Sequence, residues 1–195
     1  MREFKMLAVC AVMAGVALNA SAGQKTGTTR GEAAARTEYY YGQVVYSSAD
    51  GKIEYGKTFS LVKRLIDPVA ERILETVLQP SEKPGGKPDE YVTELKRAGP
   101  TAVFNASDPG KTFTGTLAFS GGAAWAWTVW LYDLKFTAGG SLKGRGELSQ
   151  GAVKTEKIFT KPDGGATRIT EDLKAISLRQ YNAQYKKMLA GVEAK

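Results

Sequence analysis

The chain has 195 residues, of which 43% are hydrophobic and 24% charged, and a formal charge of +7. That balance excludes a wholly disordered chain and a multi-span membrane protein, and the length suits one domain. With no histidine and a single cysteine, a Ser-His-Asp triad, a Cys-His dyad and a His- or Cys-rich zinc centre are excluded too.

Residues 1–22 read as an export signal. Arg2 and Lys5 open it, Met6 to Leu18 is an uncharged and mostly apolar run, and Ala20, Ser21 and Ala22 offer a small-x-small cleavage site. The run is too short to span a bilayer, which takes about 20 apolar residues. Cleavage after Ala22 would leave 173 residues with a charge of +6 and no cysteine, because Cys10 departs with the signal. The expected location is therefore periplasmic or secreted. Without disulfides, the fold must rest on a hydrophobic core. The basic residues are scattered among acidic ones, with no Arg-rich stripe interleaved with aromatics, so nucleic acid is not an expected partner. Peripheral contact with an anionic envelope surface is. Nothing in the composition calls for a cofactor or a metal.

Residues 23–37 are small and polar and read as a flexible segment, with room for a helical turn at 32–36. Glu38 to Tyr46 is rich in aromatic and β-branched residues, and Asp50-Gly51 after it is a hairpin signal. Lys52 to Leu65 continues as a strand with Ile53, Tyr55, Phe59, Leu61 and Leu65 on one face, and Gly56 suggests a bulge or bend. Residues 67–78 fit two readings. Asp67-Pro68 starts a helix well and Ile66, Val69, Ile73 and Val77 share a helical face, yet Ile73 to Leu78 is also a plausible strand. Pro80 to Asp89 is a loop. Strand signals then recur at 90–97, 101–105, 111–120, 123–136, 141–149, 152–160 and 167–176, separated by turn clusters such as Lys161 to Gly165. Short strands at such spacing predict an all-β sandwich or barrel. The chain closes with a helix over 177–190. Ser177 is its N-cap, Gln180 completes a capping box, and Tyr181, Tyr185 and Leu189 form an apolar stripe expected to pack on the barrel or plug one end.

Few residues can carry chemistry. Trp125, Trp127 and Trp130 are the only tryptophans. Strict alternation puts Trp125, Trp127, Val129 and Leu131 on one face, and Trp130, Tyr132, Leu134 and Phe136 on the other. Both faces are apolar, so the strand either packs a core or walls a ligand cavity. Asp108 to Thr112 resembles the end of a phosphate loop, but Asn105 stands where glycine is needed and a strand follows. Gly144-Arg145-Gly146 reads as a turn or bulge. The acid–base candidates are Asp133, Glu75, Glu94, Glu156 and Glu171, and strand carboxylates usually face solvent.

Several of these segments together resemble the bacterial secreted lipocalin-like proteins of the calycin type. They are Trp125 to Trp130, Gly144-x-Gly146-x-Leu148, Lys157-x-Phe159 with Pro162-Asp163-Gly164, Glu171-Asp172-Leu173, and Ile176-Ser177 before Tyr181. Asp67-Pro68 with Ile73-x-Glu75 also looks like the early turn and strand of that group. The resemblance covers about residues 38 to 190. It implies an antiparallel up-and-down barrel of 8–10 strands with a C-terminal helix, and it tips residues 67–78 toward turn plus strand. Such barrels hold a small ligand or are packed with side chains. The expectation is one domain over 38–195 that binds a small hydrophobic or amphipathic ligand. Trp125, Trp127, Trp130 and Tyr132 would wall the site, and Arg64 or Arg145 would pair with an acidic head group. Two alternatives stand beside it: a barrel enzyme using a buried carboxylate, and a non-catalytic envelope protein with a packed barrel.

Overall fold

The computed structural model describes residues 34–81 and 86–190. The expected signal peptide and most of the segment after it lie outside these residues. Ten strands follow one another: β1 (Arg36–Ser48), β2 (Glu54–Asp67), β3 (Arg72–Gln79), β4 (Asp89–Arg97), β5 (Val103–Ser107), β6 (Phe113–Ala123), β7 (Ala126–Phe136), β8 (Ser141–Ser149), β9 (Ala152–Thr160) and β10 (Ala166–Ala175). Each pairs antiparallel with its chain neighbours, and β1 pairs with β10, so the sheet is a closed up-and-down barrel. One helix, α1 (Leu178–Leu189), ends the described chain.

Residues 67–78 resolve into turn plus strand. Residues 68–71 form the turn, and in β3 the alternation of Ile73, Glu75 and Val77 places one row inside the barrel. The β1–β2 hairpin turns at 49–51, with Gly51 at φ 76° as the Asp-Gly pair requires. The pairing skips Tyr55 between Tyr46↔Gly56 and Ser47↔Glu54, a bulge beside Gly56. The odd-numbered face of β2, expected to be the apolar one, points outward. The inward row is Ser60, Val62, Arg64 and Ile66, and Leu61 is buried only because α1 covers it.

Gly144 and Gly146 are not at a turn. They lie in the regular middle of β8, on its inward face. A Cβ on Gly146 would sit 2.2 Å from Trp130 Cε2, and one on Gly144 would sit 2.7 Å from Lys157 Cγ. These two glycines are the space into which a large indole and a lysine stem pack. Asp108, in the failed phosphate loop, instead accepts hydrogen bonds from the Thr112 hydroxyl and the Phe113 amide and so fastens the β5–β6 turn.

Helix α1 starts as its sequence prescribes. The Ser177 side chain accepts from the Gln180 amide, and the Gln180 side chain returns to the Ser177 amide. The helix does not plug an end of the barrel. It lies along the outer wall, where Met188 and Tyr181 meet Leu61, Leu78, Tyr41 and Ile176, and Tyr181 packs on Tyr39. The stripe expected to be buried is only partly so, because Tyr185 and Leu189 are exposed.

Candidate functional site: a charged layer inside the barrel

The inward rows of the strands build three zones along the barrel axis. At the end carrying the β6–β7 turn, Phe104, Phe119, Trp125 and Trp127 pack edge to face and tilted, with ring centroids 5.1 to 5.5 Å apart. At the opposite end Phe136 packs between Phe113 and Phe159. Between these apolar ends lies a layer of ionisable side chains.

In that layer the neighbouring strands β2 and β3 place Arg64 opposite Glu75. Both Nε, at 2.9 Å, and Nη2 of Arg64 donate to the same oxygen, Glu75 Oε2. Glu75 Oε1 is left buried with no hydrogen-bond partner among the described residues. Strands β9 and β10 supply Lys157 and Glu171, with Nζ 2.8 Å from Oε1 and the Thr155 hydroxyl donating to Oε2 at 2.6 Å. The Lys157 ammonium and the Glu171 carboxylate form a fully buried ion pair. Arg64 lies over the Tyr40 ring and Lys157 over the Tyr132 ring, at 5.6 and 5.3 Å from the centroids. Trp130 Nε1 donates to the Tyr132 hydroxyl at 2.6 Å.

None of these four charged side chains is more than 4% exposed. Burial pushes the carboxyls of Glu75 and Glu171 above the ordinary carboxylate range, against the opposing pull of Arg64 on the first and Lys157 on the second. Burial likewise raises the Tyr132 phenol, and the nearby carboxylates Glu171 and Glu75 raise it further. The two ion pairs act on each other. Glu171 lies close enough to raise Glu75, and Arg64 close enough to lower Glu171.

The layer connects to one mouth. From Tyr40 the hydroxyl donates to Glu38 at 2.9 Å, and Glu38 is paired with Arg36 at 3.0 Å. Arg36, about one-third exposed, also donates to the Trp125 carbonyl. On the other side Arg97 stacks over the Trp125 ring at 5.8 Å. Trp125 itself is held at φ 63°, and Gly121 and Gly122 before it are also at positive φ. Left-handed backbone at a non-glycine residue costs about 1–2 kcal/mol. The mouth is thus shut by a strained turn that two arginines hold down.

Of the expected site residues, Trp125, Trp127, Trp130, Tyr132 and Arg64 come together inside the barrel. The expected split of the tryptophans between two faces does not hold. Alternation breaks between Trp127 and Trp130, and both join one core cluster, while Leu131 is exposed. Arg145 is not with them. It is on the outer wall, paired with Glu147, beside an open groove of about 890 Å³ that Leu131, Lys143, Glu156 and Ile158 also line. Among the five carboxylates, Glu75 and Glu171 are inside, whereas Asp133, Glu94 and Glu156 are on the outer face, each next to a basic side chain.

Lys157 and Glu38 were missed, and the inward placement of Glu75 and Glu171 was not read. A signal existed for three of the buried charges. Arg64 stands between Val62 and Ile66, Glu75 between Ile73 and Val77, and Glu171 between Ile169 and Leu173. A charge with apolar residues two positions away on both sides shares their inward face. Lys157, between Thr155 and Phe159, shows the same pattern more weakly.

No protein-family model matches the sequence, and no curated protein matches it either. A solved structure of the H959F variant of the PpsC dehydratase domain from Mycobacterium tuberculosis aligns at 9% identity. It covers 73% of this chain and 76% of its own, at a TM-score of 0.18. A score that low does not establish a common fold, and the barrel stands on its own strand pairing.

Proposed function

We propose that the protein is an exported, lipocalin-like binder of a small amphipathic ligand with an acidic or hydrogen-bonding head group, received in the barrel through the Trp125 mouth. The observation that carries this reading is the charged layer, and within it Glu75 Oε1, a buried acceptor with no donor among the described residues. An unmet buried acceptor costs about 1–3 kcal/mol, and apolar residues of similar volume in place of a buried ion pair are often as stable or more so. Stability alone therefore gives little reason for Arg64, Glu75, Lys157 and Glu171 to be there. A ligand hydroxyl or amine would satisfy Glu75. A ligand carboxylate or phosphate would exchange with Glu75 or Glu171 for a guanidinium or ammonium. The aromatic end above the layer suits an apolar tail.

The layer's side chains are inaccessible to water, so entry requires the Trp125 turn to lift. That same fact favours the second reading, a non-catalytic envelope protein whose barrel stays packed. Titrating the purified protein with a fatty acid, a lysophospholipid and a neutral polyene, while reading tryptophan emission, separates the two. Saturable changes that weaken in Arg64→Gln support the binder. No spectral change with any member of the panel refutes it.

A further inference from the structure

Helix α1 uses only part of its apolar face on the barrel. Met188 and Tyr181 are turned to the wall, whereas Leu178, Tyr185 and Leu189 are 52%, 39% and 45% exposed. At about 100° per residue these three fall within about 40° of one another and form a stripe about 16 Å long. Arg179 and Lys186 flank the stripe on the side away from the barrel, and Lys187 lies farther round. The helix contains no acidic residue.

We infer that this free half of α1 docks on an anionic lipid surface, with Leu178, Tyr185 and Leu189 set into the headgroup layer and Arg179 and Lys186 against lipid phosphates. Charge selects this occupant. A second copy of the chain would bring the same cations against one another, with no carboxylate on the helix to answer them. Three side chains also fall well short of the roughly 800 Å² per partner of a stable protein interface. An interfacial helix needs only an apolar stripe and basic flanks, and no described helix is long and apolar enough to cross a bilayer. The net positive charge of the whole chain acts in the same direction. This inference is independent of what the barrel interior holds.

Co-sedimentation of the purified protein with vesicles of phosphatidylcholine, alone or mixed with phosphatidylglycerol, tests it. Binding is expected only to the mixed vesicles and is expected to fall with salt. Each cation near an anionic surface contributes about fivefold. The Arg179→Gln, Lys186→Gln double variant should therefore bind about 25-fold more weakly. Leu178→Ser, Tyr185→Ser and Leu189→Ser together should remove the remaining binding while the circular dichroism spectrum is unchanged, since Met188 and Tyr181 stay. Equal binding to neutral and mixed vesicles, no binding to either, or variants that bind like the parent would overturn the proposal. So would sedimentation showing a dimer that only the serine variant dissolves.

Discussion

Replacing Lys157 by methionine removes one half of the Lys157–Glu171 pair and keeps the side-chain volume. Both side chains have 0% exposure, and Glu171 would keep the Thr155 hydroxyl as its hydrogen-bond donor and the more distant charge of Arg64. Breaking a buried pair from one side costs about 3–5 kcal/mol, because the remaining charge is uncompensated. For a domain of this size each kcal/mol lowers the melting temperature by about 2–4 °C, so a drop of about 6–20 °C is expected. Removing both charges, as Lys157→Met with Glu171→Leu, should recover most of the loss. A pH series adds a signed check. Without Lys157 the Glu171 carboxyl titrates higher still, so the folded chain holds a proton that the unfolded chain releases. The variant's deficit is then largest at neutral pH and shrinks as pH falls toward the ordinary carboxylate value. Thermal unfolding followed by circular dichroism measures all three. If Lys157→Met melts within a degree or two of the parent, or if its deficit grows on acidification, Lys157 is not the main counter-charge of Glu171.

Three other outcomes follow from the packing. Gly146→Val drives a Cβ into the Trp130 ring and should destabilise the barrel by about 1–3 kcal/mol or more, with a red-shifted tryptophan emission. Met188→Ala should cost about 2 kcal/mol or more in chemical denaturation, whereas Leu189→Ser beside it stays within about 0.5 kcal/mol; similar losses at both positions would mean that the helix is not seated as described. The Tyr181 phenol is raised to about 12 by burial and by nearby Tyr185, Tyr39 and Glu90. The folded chain then keeps a proton that the unfolded chain loses, so this contribution to stability is present below the ordinary tyrosine pKa and is lost as pH rises through about 12. Absorbance titration of Tyr181→Phe should lack that late step.

The strand boundaries were legible because turn chemistry brackets them. The segments read at 141–149 and 152–160 coincide with β8 and β9, and the Ser177 capping box was readable from two residues. Residues 67–78 were ambiguous for a physical reason. Ile66, Val69, Ile73 and Val77 satisfy a helical period, while Ile73, Glu75 and Val77 satisfy a strand period. Only pairing with β2 and β4 decides between them. Gly144 and Gly146 misled because a glycine in a strand signals close approach as well as a turn, and the approaching Trp130 is 16 residues away in sequence. The grouping of the tryptophans was hidden by the left-handed backbone at Trp125 and the irregular strand after it, since alternation assumes an unbroken pleat. Which inward charges pair with which depends on strand tilt around a closed sheet, and that is set by the whole barrel.

The β1–β10 seam bears on how the molecule assembles. Nine of the ten strand pairings join chain neighbours and can form as hairpins, close in sequence and fast. The tenth joins Tyr40 to Ala175, with almost the whole domain between them. A chain emerging N-terminus first carries β1 as an open edge until β10 is complete, and such an edge invites pairing with another chain. Helix α1 follows β10 directly and lays Tyr181 and Met188 over β1 and β2. It is the last of the described elements to be made, and it rests beside the last seam to close. Damage to α1 should therefore show first as slow closure and aggregation during refolding, before any defect in the finished barrel.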